Sequence, residues 1–341
     1  MSTTTRVVLP GIVEPEDLVV EHVPTPVAGA GEALIAVEAT GVSFAEQGMR
    51  RGRYPGQPAF PFVPGYDLVG RVAAVGADAD RGLIGSRVAA ATKTGGWATD
   101  ALVPVVDLVP VPEGVEPGAA ESVVVNGLTA WQMLVRSARV RDGGTVLVHG
   151  ASGGVGTVLV QLARARGLRV IGTASTPHHE ALRALGVEPV DNRAADPYAE
   201  VRALAPDGVD AVFDHLGLAS ARRSFPLLRR GGALVVYGTA ADRDGADGVL
   251  TIFGSMLSQI AVWTVLPNGR RASFYDFWGG HRLRPAAFRR RQHQDLAAVL
   301  ALVADGTIVP HVAARFPLER AAEAMRLAES RTARGKVVLE P

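Results

Sequence analysis

The sequence predicts an α/β protein with a barrel-like β domain and a second domain built on a doubly wound parallel sheet. Three observations lead to this prediction. Short apolar runs separated by Pro and Gly fill residues 1–124, strand and helix patterns alternate over 125–285, and a glycine-rich turn follows a buried strand of the alternating part. At 341 residues the chain is too long for one ordinary core, so two domains are expected.

The β-rich part consists of short apolar segments between turn residues. The segments are RVVLP, EALIAVEAT, DLVGRVAAVG, GSRVAAAT and ATDALVPV. Prolines 104, 110, 112 and 117 precede the change of pattern, and we place a domain boundary after residue 124. The last stretch, 286–341, carries two amphipathic helix patterns and a final strand, KVVLE. We expect this stretch to return to the first domain.

The alternating part reads as strand, glycine turn, helix and strand. TVLVH (145–149) predicts a strand buried on both faces, and an apolar stripe at helical spacing follows it as far as Gly167. LRVIGT (168–173), VDAVFD (209–214) and GALVVYG (232–238) predict further strands. HHEALRAL and, despite Pro226, SARRSFPLLRR predict helices. This alternation predicts a doubly wound parallel sheet over 125–285.

Composition narrows the classes of function. The 35 basic and 34 acidic residues nearly cancel, so no strong field favours nucleic acid or a stable association with an anionic membrane. Cysteine is absent, which excludes disulfides and thiolate-bound zinc. The first residues lack the apolar core of a signal peptide, and no apolar run reaches the roughly 20 residues of a membrane span. We expect a cytoplasmic protein.

The glycine-rich turn, HGASGGVG (149–156), lies between the buried strand and the striped helix. Gly153 stands where the backbone would approach a pyrophosphate, and Gly156 would let the helix pack closely on the strand. The helix N-terminus offers N–H groups to phosphates. Ala151 replaces the first glycine of the usual GxGxxG pattern. A structural turn is the alternative, but the strand before and the helix after favour dinucleotide binding.

The end of the next strand indicates which dinucleotide binds. An NAD site usually has Asp or Glu about 20 residues beyond the glycines, to bind the ribose diol. This chain has Ala174 there, followed by hydroxyl and imidazole side chains up to His179, which suit a 2′-phosphate better. NADPH is therefore the predicted cofactor. The alternative is a polar loop in which Ser175 or Thr176 caps a helix, and both interpretations can hold together.

Six segments in order resemble one family over nearly the whole chain. They are GVSFAEQGMRRGRYPG (41–56), PFVPGYDLVGRVAAVG (61–76), VNGLTAWQML (125–134), HGASGGVG (149–156), GTASTPHHEALRALGV (172–187) and RTARGKVVLEP (331–341). The chain resembles the zinc-free quinone oxidoreductase branch of the medium-chain dehydrogenase/reductase superfamily, closest to its vesicle-amine-transport-like subgroup. The resemblance implies a GroES-like β-barrel domain with an inserted Rossmann domain. It also implies a homodimer through edge strands, for which ASFYDF (272–277) is the candidate.

The same resemblance implies that no metal takes part. Zinc-dependent relatives carry a Cys where this chain has Ser43 and a His where it has Tyr66. The eight histidines show no ligand spacing beyond the adjacent pair His178 and His179, which also fits an exposed loop. We therefore expect no zinc acting as a Lewis acid.

By resemblance, thirteen residues are expected to bind the cofactor. Three groups lie along the nicotinamide and its ribose, the pyrophosphate, and the adenosine 2′-phosphate. They are Asn126, Thr129, Tyr237 and Gly238; Ser152, Gly153, Gly154, Val155 and Gly156; and Ser175, His179, Asn192 and Arg331. Relatives more often have Lys at the position of His179 and Tyr at that of Asn192. Without the resemblance, Arg331 would read as a solvated side chain.

Two residues are candidates for contact with the substrate. Tyr54 matches a family tyrosine that faces the substrate, and its phenol is suited to bond an oxygen that gains negative charge or to deliver a proton. A tyrosine packed in a turn against Pro55 and Pro58 is the alternative. Ser43 stands where most zinc-free relatives have Asn, and Glu46 where many have Asp. Ser43 is therefore a second, shorter candidate donor.

These observations together predict an NADPH-dependent, zinc-independent reductase of quinones or α,β-unsaturated carbonyl compounds. A dedicated enoyl reductase of one biosynthetic pathway is an alternative, because the fold would present the same hydride donor. An NADPH-binding protein with little catalysis is a third possibility, since an intact Rossmann site does not guarantee chemistry.

Overall fold

A computed structural model describes residues 2–240, 248–330 and 332–341. The chain divides into two compact units, of which the first comprises Met1–Leu128 and Gly280–Pro341 and the second Thr129–Gly279. The boundaries expected after residues 124 and 285 fall inside one helix, Pro117–Trp131, and at the first residue of another, Pro285–Ala304. Each unit has its own sheet and its own core.

The first unit is rich in strands. Its strands are β1 (Thr3–Val8), β2 (Val19–Pro24), β3 (Glu32–Val42), β4 (Asp67–Val75), β5 (Arg87–Ala91), β6 (Asp100–Pro104), β7 (Val109–Pro110), β14 (Val312–Pro317) and β15 (Lys336–Glu340). Its helices are α1 (Phe44–Arg50), α2 (Pro117–Trp131), α8 (Pro285–Ala304) and α9 (Ala321–Glu329). The last described strand, β15, pairs antiparallel with β3, so residues from both ends of the sequence share one sheet.

The sheet of the first unit has seven strands, ordered β14-β15-β3-β4-β5-β7 with β6 also on β3. Alternation explains its core, since Ala33, Ile35 and Val37 point inward along β3 while the residues between them are half-buried. Trp97 is fully buried, and its indole N–H donates to the carbonyl of Gly41 at 2.9 Å. The segment between β5 and β6 is thereby tied to the end of β3.

The second unit contains a parallel sheet covered by helices. Its strands are β8 (Thr145–His149), β9 (Arg169–Ala174), β10 (Val187–Asp191), β11 (Val209–Asp214), β12 (Leu228–Val236) and β13 (Arg271–Phe274). Its helices are α3 (Gly154–Ala165), α4 (His179–Ala184), α5 (Pro197–Leu204), α6 (Leu218–Ser224) and α7 (Val249–Val265), and a π-helical segment covers Gln132–Ala138.

All pairs in this sheet are parallel, and the spatial order is β10-β9-β8-β11-β12-β13. Counted along the sequence this order is 3-2-1-4-5-6, the doubly wound arrangement of dinucleotide-binding domains. The predicted fold class is confirmed. The direction of winding reverses between β8 and β11, and ligands of such sheets bind beyond the carboxyl ends of the strands at this point.

Two segments of the second unit differ from expectation. The helix predicted over SARRSFPLLRR ends at Ser224, because Pro226 lies in a short 3₁₀ turn and β12 begins at Leu228. Helix α7 was not anticipated. It carries no charged residue, and no helix in the described ranges is long and apolar enough to cross a membrane.

Candidate functional site

The glycine turn lies at the reversal point of the parallel sheet. Strand β8 ends at His149, and α3 begins at Gly154 with Gly153 as an N-cap that has no side chain to offer. The first N–H groups of α3 therefore have no partner within the helix and no side-chain cap. A Cβ added to Gly156 would stand 2.2 Å from the carbonyl oxygen of Gly150, so this position accepts only glycine. The turn offers backbone donors and a partial positive charge, which suit a diphosphate.

A buried polar network supports this turn from below. His149 places Nδ1 3.1 Å from the hydroxyl of Thr173 and Nε2 2.9 Å from that of Ser224. Burial lowers the pKa of His149, so the imidazole is neutral. Ser224 donates to Asp214 at 2.9 Å, and Thr173 accepts the N–H of Gly150. The network fixes the carboxyl ends of β8, β9 and β11 relative to one another.

Three predicted 2′-phosphate residues meet at the end of β9. The carbonyl of Ala174 accepts the backbone N–H of Asn192 at 3.0 Å and lies 3.1 Å from Nε2 of the buried His179. Ser175 is the next residue, half-buried, at the start of the short 3₁₀ turn Thr176–His178. His179 thus uses Nε2 to bind the backbone of the loop. Ser175 and Asn192 are more accessible polar residues of this loop than His179. Arg331 lies outside the described residues.

An acidic side chain that the sequence reasoning missed stands beside this loop. Asp191, the last residue of β10, accepts the N–H of Arg193 and the hydroxyl of Thr176, both at 3.0 Å. The Arg193 N–H and then the Thr176 hydroxyl lower the pKa of Asp191, so its carboxylate is ionised. Arg193 is exposed next to it. A phosphate at this loop would meet both an anion and a cation.

The ends of β11 and β12 bring Tyr237 and Gly238 towards the glycine turn. The N–H of Tyr237 donates to the carbonyl of Asp214 at 2.9 Å, and burial raises the pKa of its phenol. The rings of Tyr237 and His215 lie 5.7 Å apart. His215 also occupies the space beside Gly150, where an added Cβ would stand 2.4 Å from the ring. His215 therefore joins the two predicted segments, although no motif indicated it.

Helix α2 carries the other two cofactor candidates. Asn126 and Thr129 are three residues apart, so their side chains lie on the same side of the helix, and both are largely buried. Each is a polar side chain in a helix whose other residues are mainly apolar. Burying a polar side chain costs free energy unless it forms hydrogen bonds, so both side chains are expected to have hydrogen-bonding partners.

In the first unit, Ser43 begins α1 through a reciprocal capping arrangement. Its hydroxyl accepts the N–H of Ala45 at 3.0 Å, and its own N–H donates to Oε2 of Glu46 at 2.8 Å. The Ser43 hydroxyl also hydrogen-bonds to the same carboxyl oxygen. Oε1 of Glu46 accepts the backbone N–H of Tyr66 at 2.6 Å. One buried carboxyl group therefore holds both positions at which zinc-dependent relatives have ligands.

Tyr54 lies in direct contact with Tyr66. Their hydroxyls hydrogen-bond, and the rings meet edge to face with centroids 5.8 Å apart. Lys93 links the segments around them, because its N–H donates to the carbonyl of Tyr66 at 3.2 Å and its ammonium to that of Gly56 at 2.8 Å. Tyr54 therefore belongs to a hydrogen-bonded pair of tyrosines. The alternative interpretation, a turn residue packed on prolines, does not include this hydrogen bond.

Behind this pair lies a cluster of buried charges. The ammonium of Lys336 is 3.2 Å from Asp67 and 3.0 Å from Glu121, and all three side chains are buried. Burial raises the pKa of Glu46 and, well above its ordinary value, that of Glu121. Burial alone would lower the pKa of Lys336, but the nearby carboxyl groups raise it. The cluster holds more carboxyl groups than cations, and this favours retention of a proton.

A metal centre is not supported by the residue types present. The chain has no cysteine, and the described ranges contain no group of three or more His, Asp and Glu side chains that suits a metal ion. Ser43 and Tyr66 hydrogen-bond to protein groups through hydroxyls, which are poor zinc ligands.

Comparisons with known proteins identify relatives of this chain. Two family models match, described as "Alcohol dehydrogenase GroES-like domain" over residues 29–113 and "Zinc-binding dehydrogenase" over 185–339. The human synaptic vesicle membrane protein VAT-1 homolog is 33% identical over 320 residues, which cover 93% of this chain and 80% of that protein. A quinone oxidoreductase of Pongo abelii is 30% identical over 330 residues, covering 92% and 90% respectively.

Solved structures with the same fold cover the full length. The human VAT-1 homolog-like protein superposes with a TM-score of 0.84 at 27% identity, over 100% of this chain and 99% of that one. Mycobacterial Rv1454c, complexed with NADPH, superposes with a TM-score of 0.83 at 28% identity, over 99% and 100%.

Proposed function

Since the chain belongs to the zinc-free medium-chain dehydrogenase/reductase family of oxidoreductases, we propose that it reduces quinones or α,β-unsaturated carbonyl compounds with NADPH. Relatives named quinone oxidoreductases and a similar structure complexed with NADPH support this proposal. The residues at the zinc-ligand positions, Ser43 and Tyr66, support a reaction without a metal.

The second unit supplies the groups that fit a dinucleotide. The uncapped N-terminus of α3, with Ser152 to Gly156 before and within its first turn, would bind the diphosphate. Ser175 and Asn192 would face the adenosine ribose and its phosphate, while Tyr237, Gly238 and His215 border the turn on its other side. Asn126 and Thr129 would orient the nicotinamide end. Bound NADPH would supply a hydride, which carries two electrons.

The first unit supplies hydroxyl groups for the substrate. Reduction of an enone or a quinone leaves negative charge on its oxygen, and a positioned donor stabilises that charge. Tyr54 is such a donor, because its hydrogen bond with Tyr66 fixes the orientation of its hydroxyl. The hydroxyl of Ser43 donates its one proton to Glu46, so Ser43 would donate to the substrate only after that bond is broken. Fixed donors in a site with little water contribute more than mobile ones, since they need no reorganisation during the reaction.

The observation that carries the proposal is the open N-terminus of α3 at the reversal point of the sheet, combined with Ala174 in place of an acidic residue at the end of β9. The test is a steady-state assay with NADPH against 1,4-quinones and enones. We expect turnover with at least one class, and Tyr54→Phe to lower kcat with little change in NADPH affinity. A narrow preference for one enoyl compound would favour the dedicated reductase. Tight NADPH binding without turnover would favour a binding protein and contradict the proposal.

A further inference from the structure

The hydroxyl of Tyr54, a candidate proton donor, hydrogen-bonds to that of Tyr66, a buried residue to which the proposed function gives no role. Tyr66 is almost fully buried, whereas Tyr54 is half-buried in the turn after α1. Two phenols contain two hydroxyl protons, and their mutual hydrogen bond uses one of them. When Tyr66 is the donor of that bond, the proton of the pair that can pass to a product is the one on Tyr54.

The position of Tyr66 is fixed from three sides. Its N–H donates to Glu46 at 2.6 Å, and its carbonyl accepts the N–H groups of Thr92 at 2.9 Å and Lys93 at 3.2 Å. Asp67, the following residue, is paired with Lys336 at 3.2 Å. The Lys93 ammonium also holds the turn that contains Tyr54, through the carbonyl of Gly56. Such restraint indicates that the two phenols keep one mutual orientation.

We propose that Tyr66 is a positioning residue that donates to Tyr54 and stabilises the Tyr54 phenolate. The proposal rests on the proposed reduction, because it specifies how the proton reaches the product. Tyr66 itself does not contact the substrate. Its hydroxyl supplies a hydrogen bond that strengthens when Tyr54 becomes charged.

In the proposed proton transfer, Tyr54 gives its hydroxyl proton to the reduced acceptor. Reduction leaves a negative charge on the oxygen of the acceptor. The O–H bond of Tyr54 breaks, an O–H bond forms on the product, and Tyr54 is left as a phenolate that accepts a hydrogen bond from Tyr66. A proton from water then restores Tyr54. Lys93, whose ammonium bonds the turn that contains Tyr54, and Arg53, the neighbour of Tyr54, favour the phenolate, whereas the carboxyl groups of Glu46 and Asp67 beside Tyr66 oppose it.

The proposal is tested by ultraviolet titration of tyrosinate in the full chain without substrate. The difference between wild type and Tyr54→Phe gives the titration of Tyr54. The same difference in a Tyr66→Phe background gives it without the partner hydroxyl. We expect the midpoint for Tyr54 to rise by about one pH unit in Tyr66→Phe, a tenfold change in ionisation. Tyr66→Gln, which keeps a donor, should restore part of the shift.

Kinetics give a second measurement. In Tyr66→Phe we expect kcat to fall about tenfold, with NADPH affinity unchanged, and the alkaline limb of the pH profile to move with the titration. Tyr275→Phe is the matched control, because that phenol bonds to Gln132 in the other unit and should leave the Tyr54 midpoint unchanged. If Tyr66→Phe does not fold, Tyr66→Met takes its place.

An unchanged Tyr54 midpoint in the folded Tyr66 variant would overturn the proposal. Because the titration needs no substrate, it stays informative if no acceptor is turned over. In that case a shifted midpoint would support the tyrosine pair while the proposed reduction failed.

Discussion

Glu121 and Lys336 meet in the core of the first unit, with a carboxyl oxygen 3.0 Å from the ammonium and both side chains buried. Glu121 comes from α2 and Lys336 from β15. Asp67 and Glu46 contribute further carboxyl groups to the same charge cluster. Since one ammonium faces several carboxyl groups, folding favours the protonated form of at least one acid.

This relationship predicts how stability depends on pH. Burial raises the pKa of Glu121 well above its ordinary value of 4.5, so over that range the folded chain holds a proton that the unfolded chain has released. The contribution of Glu121 to the free energy of unfolding therefore falls as pH rises above about 4.5, by at most about 1.4 kcal/mol per pH unit for one proton. Glu121→Gln carries no such proton, and we expect its stability relative to wild type to increase with pH. Urea unfolding at several pH values measures this.

Glu116→Gln is the control with the opposite sign. Hydrogen bonds from Arg315 lower the pKa of Glu116, so its contribution is present above about pH 4.5 and is lost as pH falls. The half-exposed Glu116 should give a small effect. A flat difference between Glu121→Gln and wild type would contradict the assignment of a raised pKa.

The glycine turn predicts a selective effect of one methyl group. A Cβ at position 156 would collide with the carbonyl oxygen of Gly150, so Gly156→Ala must displace the turn. We expect NADPH affinity to fall at least about tenfold, with a stability loss of about 1–3 kcal/mol. Isothermal titration and thermal unfolding give the two values.

Gly254→Ala is the matched substitution for this test. The added Cβ would meet nothing within 4 Å on α7, and alanine favours a helix by up to about 1 kcal/mol over glycine. We expect unchanged NADPH affinity there. An equal loss of NADPH affinity in both variants would contradict the assignment of the glycine turn to the cofactor site.

Asp191 predicts how cofactor preference can be altered. Its carboxylate is ionised beside the loop that follows β9, where a 2′-phosphate is expected. Replacing it with a neutral amide in Asp191→Asn removes a repulsion that NADH does not experience. We expect the ratio of NADPH to NADH affinity to rise about three- to tenfold, decreasing at high salt. Asp305→Asn changes an exposed carboxylate of the first unit that accepts the N–H of Thr307, and it should leave the ratio unchanged. A fall of the ratio in Asp191→Asn would place the phosphate elsewhere.

The edge of the parallel sheet predicts an interface between two copies of the chain. Strand β13 is one of the two edge strands of this sheet, and α7 beside it exposes apolar side chains that include Leu250 at 89% and Leu257 at 53%. Such an edge is an aggregation hazard unless it is covered. We expect a homodimer by light scattering and a shift towards monomer in Leu257→Glu. Leu283→Glu, at a still more exposed leucine of the first unit, should not change the mass. A wild-type monomer would contradict this prediction.

The fold was largely predictable because its signals are local. Buried apolar runs such as TVLVH, followed by a glycine turn and an apolar helical stripe, specify the parallel sheet. Helix α7 was not predicted, because it has neither charge nor a polar face to mark its period. The helix expected through Pro226 failed since a new strand, with Arg229 and Arg230 in it, begins two residues later.

Residues of the candidate site could be predicted from the sequence only where they belong to a recognisable motif. Gly156 and Ala174 could be read from spacing, whereas the roles of His215 and Lys93 depend on residues far away in the sequence. Asp191 was not predicted because the usual rule inspects the end of the second strand, whereas this carboxylate belongs to the last residue of the third. Tyr66 could be identified as a lost zinc position, but its bond to Tyr54 required the structure.

Metal-free reduction with NADPH is tested most directly by the initial rate of NADPH oxidation by purified protein. The rate is measured with a 1,4-quinone and with an enone, before and after extensive treatment with a metal chelator. We expect acceptor-dependent oxidation that the chelator does not change and that Gly156→Ala largely abolishes. Folded protein that oxidises NADPH with neither acceptor, or only when zinc is restored, would contradict it.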